Sequence, residues 1–216
     1  GEMIINKNGS VLLHTLNSID DTDLKVKKNN DLKGILKNKI ILITTCSNKK
    51  AEQIKSCVNF SKFKEFCQKC NRSDISSCTV IKPWMNTLKS SSEIISAIEL
   101  YKGPNFAPIK NAFYQLDTKK YSRELWIISA GYGLLSQDSK VTKYNATFSK
   151  NNDNFIDCPL WWKMLNWYNK ENLYSKINSL KKDDIVFMTL GNDYAEQIQN
   201  DIRNINPTCC LFFIVS

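Results

Sequence analysis

Four runs of consecutive apolar residues predict buried β-strands. The runs fall at residues 40–43, 125–128, 185–188 and 211–215. Short apolar runs without alternation are typical of strands covered on both faces in a parallel sheet. Helical spacing of apolar residues occurs between them, at residues 92–101, 107–116, 160–180 and 194–204. This alternation predicts an α/β fold, a three-layer sandwich around a central, mainly parallel sheet.

The polar N-terminal stretch differs from the rest of the chain. Residues 7–38 are rich in lysine and asparagine and show no sustained periodicity. We therefore predict an N-terminal arm over residues 1–38 and a single α/β domain over 39–216, with a cysteine-rich insertion at about 51–82. The arm holds His14, the only histidine, which removes most histidine-based acid–base chemistry from consideration.

The loop after the first predicted strand is a candidate binding loop, because ligands of such sheets bind at the carboxyl ends of the strands. It reads Thr44-Thr45-Cys46-Ser47-Asn48-Lys49-Lys50. We expect it to lead into a helix, whose free amides would hold a phosphate or carboxylate beside the paired lysines. The spacing is not that of a Walker loop, and a plain connection is the alternative.

The loops after the second and third strands also carry candidate residues. Gly131 and Gly133 permit close backbone approach, and Tyr132 or Tyr144 is suited to stack on a base. The alternative is a glycine turn with core aromatics. In the third loop, Asn192 is a candidate binding residue. The alternative is that Asn192 or Asp193 only caps the helix that follows.

Four cysteines fall close together and predict a metal site. They are Cys57, Cys67, Cys70 and Cys78. The Cys67-Gln68-Lys69-Cys70 turn is the spacing that lets two thiolates hold one ion, and a structural zinc would staple this segment. An iron–sulfur cluster and reduced, unliganded or disulfide-paired cysteines are the alternatives.

Consecutive tryptophans at Trp161 and Trp162 form a further candidate surface, together with Trp167 and Tyr168. Nearby lysines would make it a stacking surface for nucleic acid. A core role is the alternative, although we expect one of the consecutive pair to be exposed or to line the cleft.

The net charge of the chain indicates what kind of partner the protein binds. The 216 residues carry 30 Lys and Arg against 21 Asp and Glu, a net charge of +9, which favours a polyanionic partner. The alternative is drift of composition toward Lys, Asn and Ile. No apolar run reaches membrane-spanning length, so we expect a cytoplasmic monomer without membrane contact.

Several motifs together carry a resemblance. They are Cys46-Ser47-Asn48-Lys49-Lys50, Tyr101-Lys102-Gly103-Pro104-Asn105-Phe106, Ile128-Ser129-Ala130-Gly131-Tyr132-Gly133-Leu134-Leu135, Asp138 and Tyr144-Asn145-Ala146-Thr147-Phe148. This set resembles a bacterial and phage family of uncharacterised domains that is similar to the archaeosine synthase core and, more distantly, to the uracil-DNA glycosylase fold. It covers about residues 40–148, with 188–204 as a continuation.

The resemblance implies an enzyme that acts on a nucleobase or its N-glycosidic bond. The leading prediction is a DNA glycosylase that removes a modified base, such as glucosylated hydroxymethylcytosine, from phage DNA, without a catalytic cofactor. The alternatives are a 7-deazaguanine-type modification enzyme and a non-catalytic nucleic-acid-binding module.

Residue roles follow from the same resemblance. Asn48 takes the position of the water-activating residue of uracil-DNA glycosylases, and Asp138 is the second candidate. Ser129, the loop amides or Lys49 and Lys50 would stabilise the departing base. A flipped base would be held by Tyr132, Tyr144 and Asn145, with Thr147 in the same motif.

Overall fold

A central five-stranded sheet organises the described part of the chain. The computed structural model describes residues 38–64, 67 and 80–215. Its strands are β1 Lys39–Thr45, β2 Ile95–Ser96, β3 Ser122–Ser129, β4 Gly133–Ser136, β5 Lys140–Val141, β6 Ile185–Leu190 and β7 Cys210–Val215. The main sheet has the order β4-β3-β1-β6-β7, and β2 pairs with β5 separately.

The pairing of the main sheet confirms the predicted α/β fold class. β1 runs parallel to both β3 and β6, and β6 runs parallel to β7. Only β4 of this sheet is antiparallel, because it returns along β3 after a tight turn. All four apolar runs form strands, and the central residues of β1 are almost wholly buried, as expected for a strand covered by helices on both faces.

Helices connect the strands and cover the sheet. They are α1 Ile81–Lys89, α2 Ala97–Leu100, α3 Ala107–Gln115, α4 Trp161–Asn169, α5 Leu173–Asn178, α6 Asn192–Gln197 and α7 Gln199–Arg203, with a 3₁₀ turn at Phe60–Phe63. The prediction of one continuous helix over residues 160–180 is wrong. Lys170 adopts a left-handed conformation with φ 54°, which ends α4 before α5 begins.

Several elements were not predicted, namely α1, β4, the 3₁₀ turn and the two-residue strands β2 and β5, of which β2 lies within the helix predicted over 92–101. α1 buries Ile81, Trp84, Met85 and Leu88, a spacing that marks one face of a helix. β4 is short and begins at Gly133, whose φ of 89° lets the chain reverse direction there. The predicted N-terminal arm lies outside the described residues, apart from Asn38.

Candidate active site

The strand order places a topological switch point between β1 and β6. From β1 the chain crosses to β3 on one side of it, and later returns to β6 on the other side. Connections leave this point in opposite directions, which opens the crevice where α/β proteins bind ligands. Cys46 follows β1 and Tyr194 lies in α6, just after β6. Their Sγ and hydroxyl atoms lie 3.1 Å apart, so side chains from both strands meet at the switch point.

The loop after β1 is held in place by Ser47. Its hydroxyl donates to the carbonyl of Lys49 at 2.7 Å and accepts from the backbone N–H of Gly103 at 3.0 Å. A side chain on Gly103 would collide with Ser47, since an added Cβ would lie 2.5 Å from the serine Cβ. Ser47 therefore locks the loop after β1 to the loop that follows α2.

The expected helix after this loop is wrong. Residues 46–59 contain an isolated bridge at Lys50, a turn and a second bridge at Val58, but no helix. The predicted anion site at a helix N-terminus is therefore not formed there. Asn48 and Lys49 instead project from the loop as exposed residues.

Lys50 is the most unusual residue of the loop, because its charged side chain is buried. The residue is 7% exposed, and its Nζ lies 4.4 Å from the ring centroid of Tyr144 and 5.9 Å from that of Tyr101. Its one hydrogen bond in the described part of the chain goes to the carbonyl of Ser47 at 3.2 Å. Burial lowers the pKa of Lys50, while Cys46 and Cys57 act in the opposite direction. An ammonium with three donors thus has one weak acceptor and two aromatic faces.

A hydroxyl network lies directly beside Lys50. Ser129, at the end of β3, is fully buried, and its Oγ lies 2.7 Å from the hydroxyl of Tyr144. The Tyr101 hydroxyl donates to Ser129 Oγ at 3.2 Å and lies 3.0 Å from that of Tyr144. Burial raises the pKa of both tyrosines well above the ordinary value, so both phenols stay protonated.

The glycine turn after Ser129 is held by three side-chain donors. Trp161 donates its indole N–H to the carbonyl of Ala130, and Trp84 donates to that of Gly131, both at 2.7 Å. Asn169 donates to the carbonyl of Tyr132 at 2.7 Å. Gly131 is required by space, because an added Cβ would lie 2.6 to 2.8 Å from atoms of the Tyr144 ring. Helices α1 and α4 therefore fix this turn against the sheet.

Several predicted binding residues have structural partners. The Tyr132 hydroxyl accepts from the N–H of Thr142 at 2.8 Å, and burial raises the pKa of Tyr132 to about 12. Asn145 accepts from the N–H of Phe60 at 2.7 Å, and buried Thr147 accepts from that of Ser149 at 3.2 Å. These hydrogen bonds hold the surrounding loops together, and neither Tyr132 nor Tyr144 presents an open ring face for stacking, since both are at most 8% exposed.

Asp138 lies apart from the carboxyl edge of the sheet. It is exposed in the turn after β4, beyond Ser136, which pairs with Trp126. Ser129 is three residues further along β3 than Trp126, a rise of about 10 Å. The structure therefore does not bring Asp138 together with Asn48 and Ser129.

Asn192 is exposed at the start of α6, where it makes no capping hydrogen bond. The N-cap residue is Gly191. Asp193 accepts from the backbone N–H of Lys150 at 3.1 Å, which ties the third loop to the segment after Thr147. The expectation that Asn192 or Asp193 caps the helix is therefore wrong.

Both consecutive tryptophans are buried, so the expectation that one is exposed is wrong. Trp161 is 0% exposed and Trp162 is 3% exposed. Their indole N–H groups have acceptors in different parts of the fold. Trp161 donates to the glycine turn, and Trp162 donates to the Asp201 carboxylate at 3.1 Å. The exposed aromatic of this helix is Trp167, at 50%.

The predicted zinc ligands are only partly within the described residues. Cys57 is exposed and Cys67 is buried, while Cys70 and Cys78 lie outside the description. Cys67 forms a hydrogen bond with buried Cys158, which lowers the pKa of Cys158 to about 7. In the described ranges no three His, Cys, Asp or Glu side chains gather as a metal site.

Two residues of the site were missed as site residues. In the sequence, Tyr101 stands out only as part of the resemblance motif, and Tyr194 only as the first residue of the helix predicted over 194–204. Their role depends on the Ser129 and Cys46 contacts, which join positions far apart in the sequence. Only their place at the ends of predicted helices could have suggested them.

Together these features define an α/β domain with a cationic, tyrosine-lined site at the switch point of its sheet. Searches against protein-family models, curated proteins and solved structures found no match for this chain. Among the described helices, none is long and apolar enough to cross a membrane.

Proposed function

We propose that this protein is a DNA glycosylase that hydrolyses the N-glycosidic bond of a modified base, with phage DNA as the source of the substrate. The observation that carries the proposal is the pairing, on one loop at the switch point, of the exposed amide of Asn48 with the buried ammonium of Lys50. Hydrolysis of this bond is accelerated by a group that positions water and by a group that stabilises the departing base.

The two groups match the two charges that develop during the reaction. The sugar gains positive charge while water approaches C1′, and the departing base gains negative charge. Asn48 would position the water. Lys50, whose ammonium has a single carbonyl acceptor among the described residues, would stabilise the departing base as an anion. Ser129 would act on the base only indirectly, through its hydrogen bonds with Tyr101 and Tyr144.

Charge around the mouth supports a nucleic-acid substrate. Lys49 and Lys102 lie side by side, since the N–H of Lys102 donates to the Lys49 carbonyl at 3.0 Å. Lys143 lies close enough to Lys50 to lower its pKa further. This rim would hold phosphates while the base enters the crevice.

The experiment is base release from DNA. Wild-type protein is incubated with unmodified DNA and with phage DNAs that carry modified cytosine, thymine or guanine, followed by alkali cleavage and mass spectrometry of released bases. We expect release of one modified base. Asn48→Ala and Lys50→Met should each lower the rate by about 100-fold or more.

Matched controls keep this test specific. Asn200→Ala removes another exposed amide, on α7, and Asp138→Asn removes the carboxylate that lies apart from Asn48 and Ser129. Both should retain activity. Absence of abasic sites in every modified DNA would refute the proposal, and binding without release would favour a non-catalytic module.

A further inference from the structure

The outer face of α1 and α4 carries an unusual combination of side chains. We define the α1/α4 face as Lys82, Lys89, Lys163, Trp167 and Tyr168. All three lysines are exposed, and Trp167 is 50% exposed. The apolar residues of both helices point the other way into the core, so this face is the solvent side of the pair.

Cations and rings of the two helices are interleaved. Lys82 Nζ lies 5.7 Å from the ring centroid of Trp167, and Lys89 Nζ lies 4.9 Å from that of Tyr168. Lys89 also donates to the Tyr168 hydroxyl at 3.0 Å. These contacts join the helices into one surface.

Among the described residues, the lysines of this face have no acidic partner. Neither α1 nor α4 contains an Asp or Glu, and no ion pair among the described residues involves Lys82, Lys89 or Lys163. A different exposed aromatic shows the contrast. Tyr114 is also 50% exposed, but its neighbour Lys110 is paired with Glu99 at 2.8 Å.

We propose that the α1/α4 face binds single-stranded DNA, with a base stacked on Trp167 and phosphates held by Lys82, Lys89 and Lys163. Single-stranded DNA binds surfaces on which aromatic rings alternate with lysines that have no acidic partner. Its unpaired bases stack on the rings, and its phosphates interact with the lysines. The proposal extends the proposed function by giving the substrate strand a second contact. It does not require base release.

Position in the fold supports a link with the crevice. The inner sides of the same two helices hold the glycine turn through Trp84 and Trp161. Single-stranded DNA bound to the α1/α4 face would therefore lie across the two helices that fix the turn after Ser129.

Tryptophan fluorescence gives a direct test. All five tryptophans lie in the described residues, and the other four are at most 3% exposed. Acrylamide quenching of the wild-type protein therefore reports mainly on Trp167. Addition of a 20-nucleotide oligo(dT) should protect it from acrylamide, and the Trp167→Phe variant should lose this signal while it retains binding.

Affinity measurements complete the test, on an Asn48→Ala background so that binding is read without turnover. Trp167→Ala should weaken oligo(dT) binding by about 10-fold or more. The triple change Lys82→Gln, Lys89→Gln and Lys163→Gln should make the salt dependence shallower by about 2, at about 0.7 per lost contact. Tyr114→Ala is the matched control and should bind as the parent does.

Several outcomes would overturn the proposal. They are binding by Trp167→Ala within about twofold of the parent, equal loss in Tyr114→Ala, and equal protection of Trp167 by duplex DNA or by polyglutamate. If Trp167→Ala does not fold, the acrylamide experiment on the wild type decides. Base release without protection of Trp167 would refute this inference alone, and protection without base release would refute the proposed function alone.

Discussion

Two buried charges, Asp201 and Lys50, differ in how fully they are hydrogen-bonded among the described residues. Asp201, 6% exposed, accepts from the indole of Trp162 at 3.1 Å and from the N–H of Leu173 at 3.0 Å. Within the part of the chain that the structure describes, Lys50, 7% exposed, donates to a single carbonyl at 3.2 Å. Buried charges are costly unless they are paired and hydrogen-bonded. Asp201 is thus a structural anchor, whereas Lys50 has unused capacity for an anionic ligand.

Removal of the anchor should have the largest effect on stability. Asp201→Ala leaves the Leu173 N–H buried without its acceptor and removes the carboxylate acceptor of the Trp162 indole, and we expect a loss of about 2–3 kcal/mol in the free energy of unfolding. Urea denaturation measures it. Asp201→Asn keeps an oxygen acceptor and should lose clearly less, so equal losses in the two variants would contradict the role given to these hydrogen bonds.

Removal of Lys50 should leave stability almost unchanged. Lys50→Met replaces an under-paired ammonium by an apolar chain of similar length, and we expect a change of at most about 1 kcal/mol, toward greater stability. Urea denaturation again decides. A loss as large as that of Asp201→Ala would mean that Lys50 is an anchor as well, and the contrast between the two sites would disappear.

The pH dependence sharpens the same contrast. Since burial lowers the pKa of Lys50 below the ordinary 10.5, the unfolded chain holds this proton to higher pH than the folded chain. The Lys50 contribution to stability therefore rises with pH from the lowered value up to 10.5 and is constant below that window. Subtraction of the Lys50→Met profile isolates it, and a difference that falls with pH would contradict the assignment.

A buried thiol pair gives the smallest and most local effect. The hydrogen bond from Cys67 lowers the pKa of Cys158 to about 7, with help from the N–H groups of Leu160 and Trp161, against the opposing effect of burial. Ultraviolet thiolate absorbance should show a step near that pH. Cys158→Ser should abolish the step and Cys67→Ala should move it upward, while exposed Cys57→Ala is the control that leaves it in place.

The sequence was most informative about the sheet. Short, uninterrupted apolar runs predict buried strands, and all four predicted runs lie in the sheet. A strand covered on both faces is recognised by such a run alone. β4 was missed since Leu134 and Leu135 are too few to form such a run. The break at Lys170 depends on one left-handed residue, which periodicity does not detect.

The candidate site was less predictable because its contacts are non-local. Lys50, Ser129 and Tyr144 were identified by their loops, but Tyr101 and Tyr194 depend on pairings across the sheet. Trp161 and Trp162 show the same limit. Helical spacing places them in different directions around α4, yet both are buried, because the Ala130 carbonyl accepts from one and the Asp201 carboxylate from the other.

The three clamped carbonyls after Ser129 also set the direction of the peptide dipoles there. The oxygens of Ala130, Gly131 and Tyr132 accept from α1 and α4 side chains, so their negative ends face those helices. In a planar trans peptide the N–H points opposite to the carbonyl. The positive ends of three consecutive units, each with a dipole of about 3.5 D, are thus turned away from the helices. The N–H of Tyr132 donates to Ser129 Oγ at 3.1 Å, so one of these backbone dipoles directs its positive end at the serine.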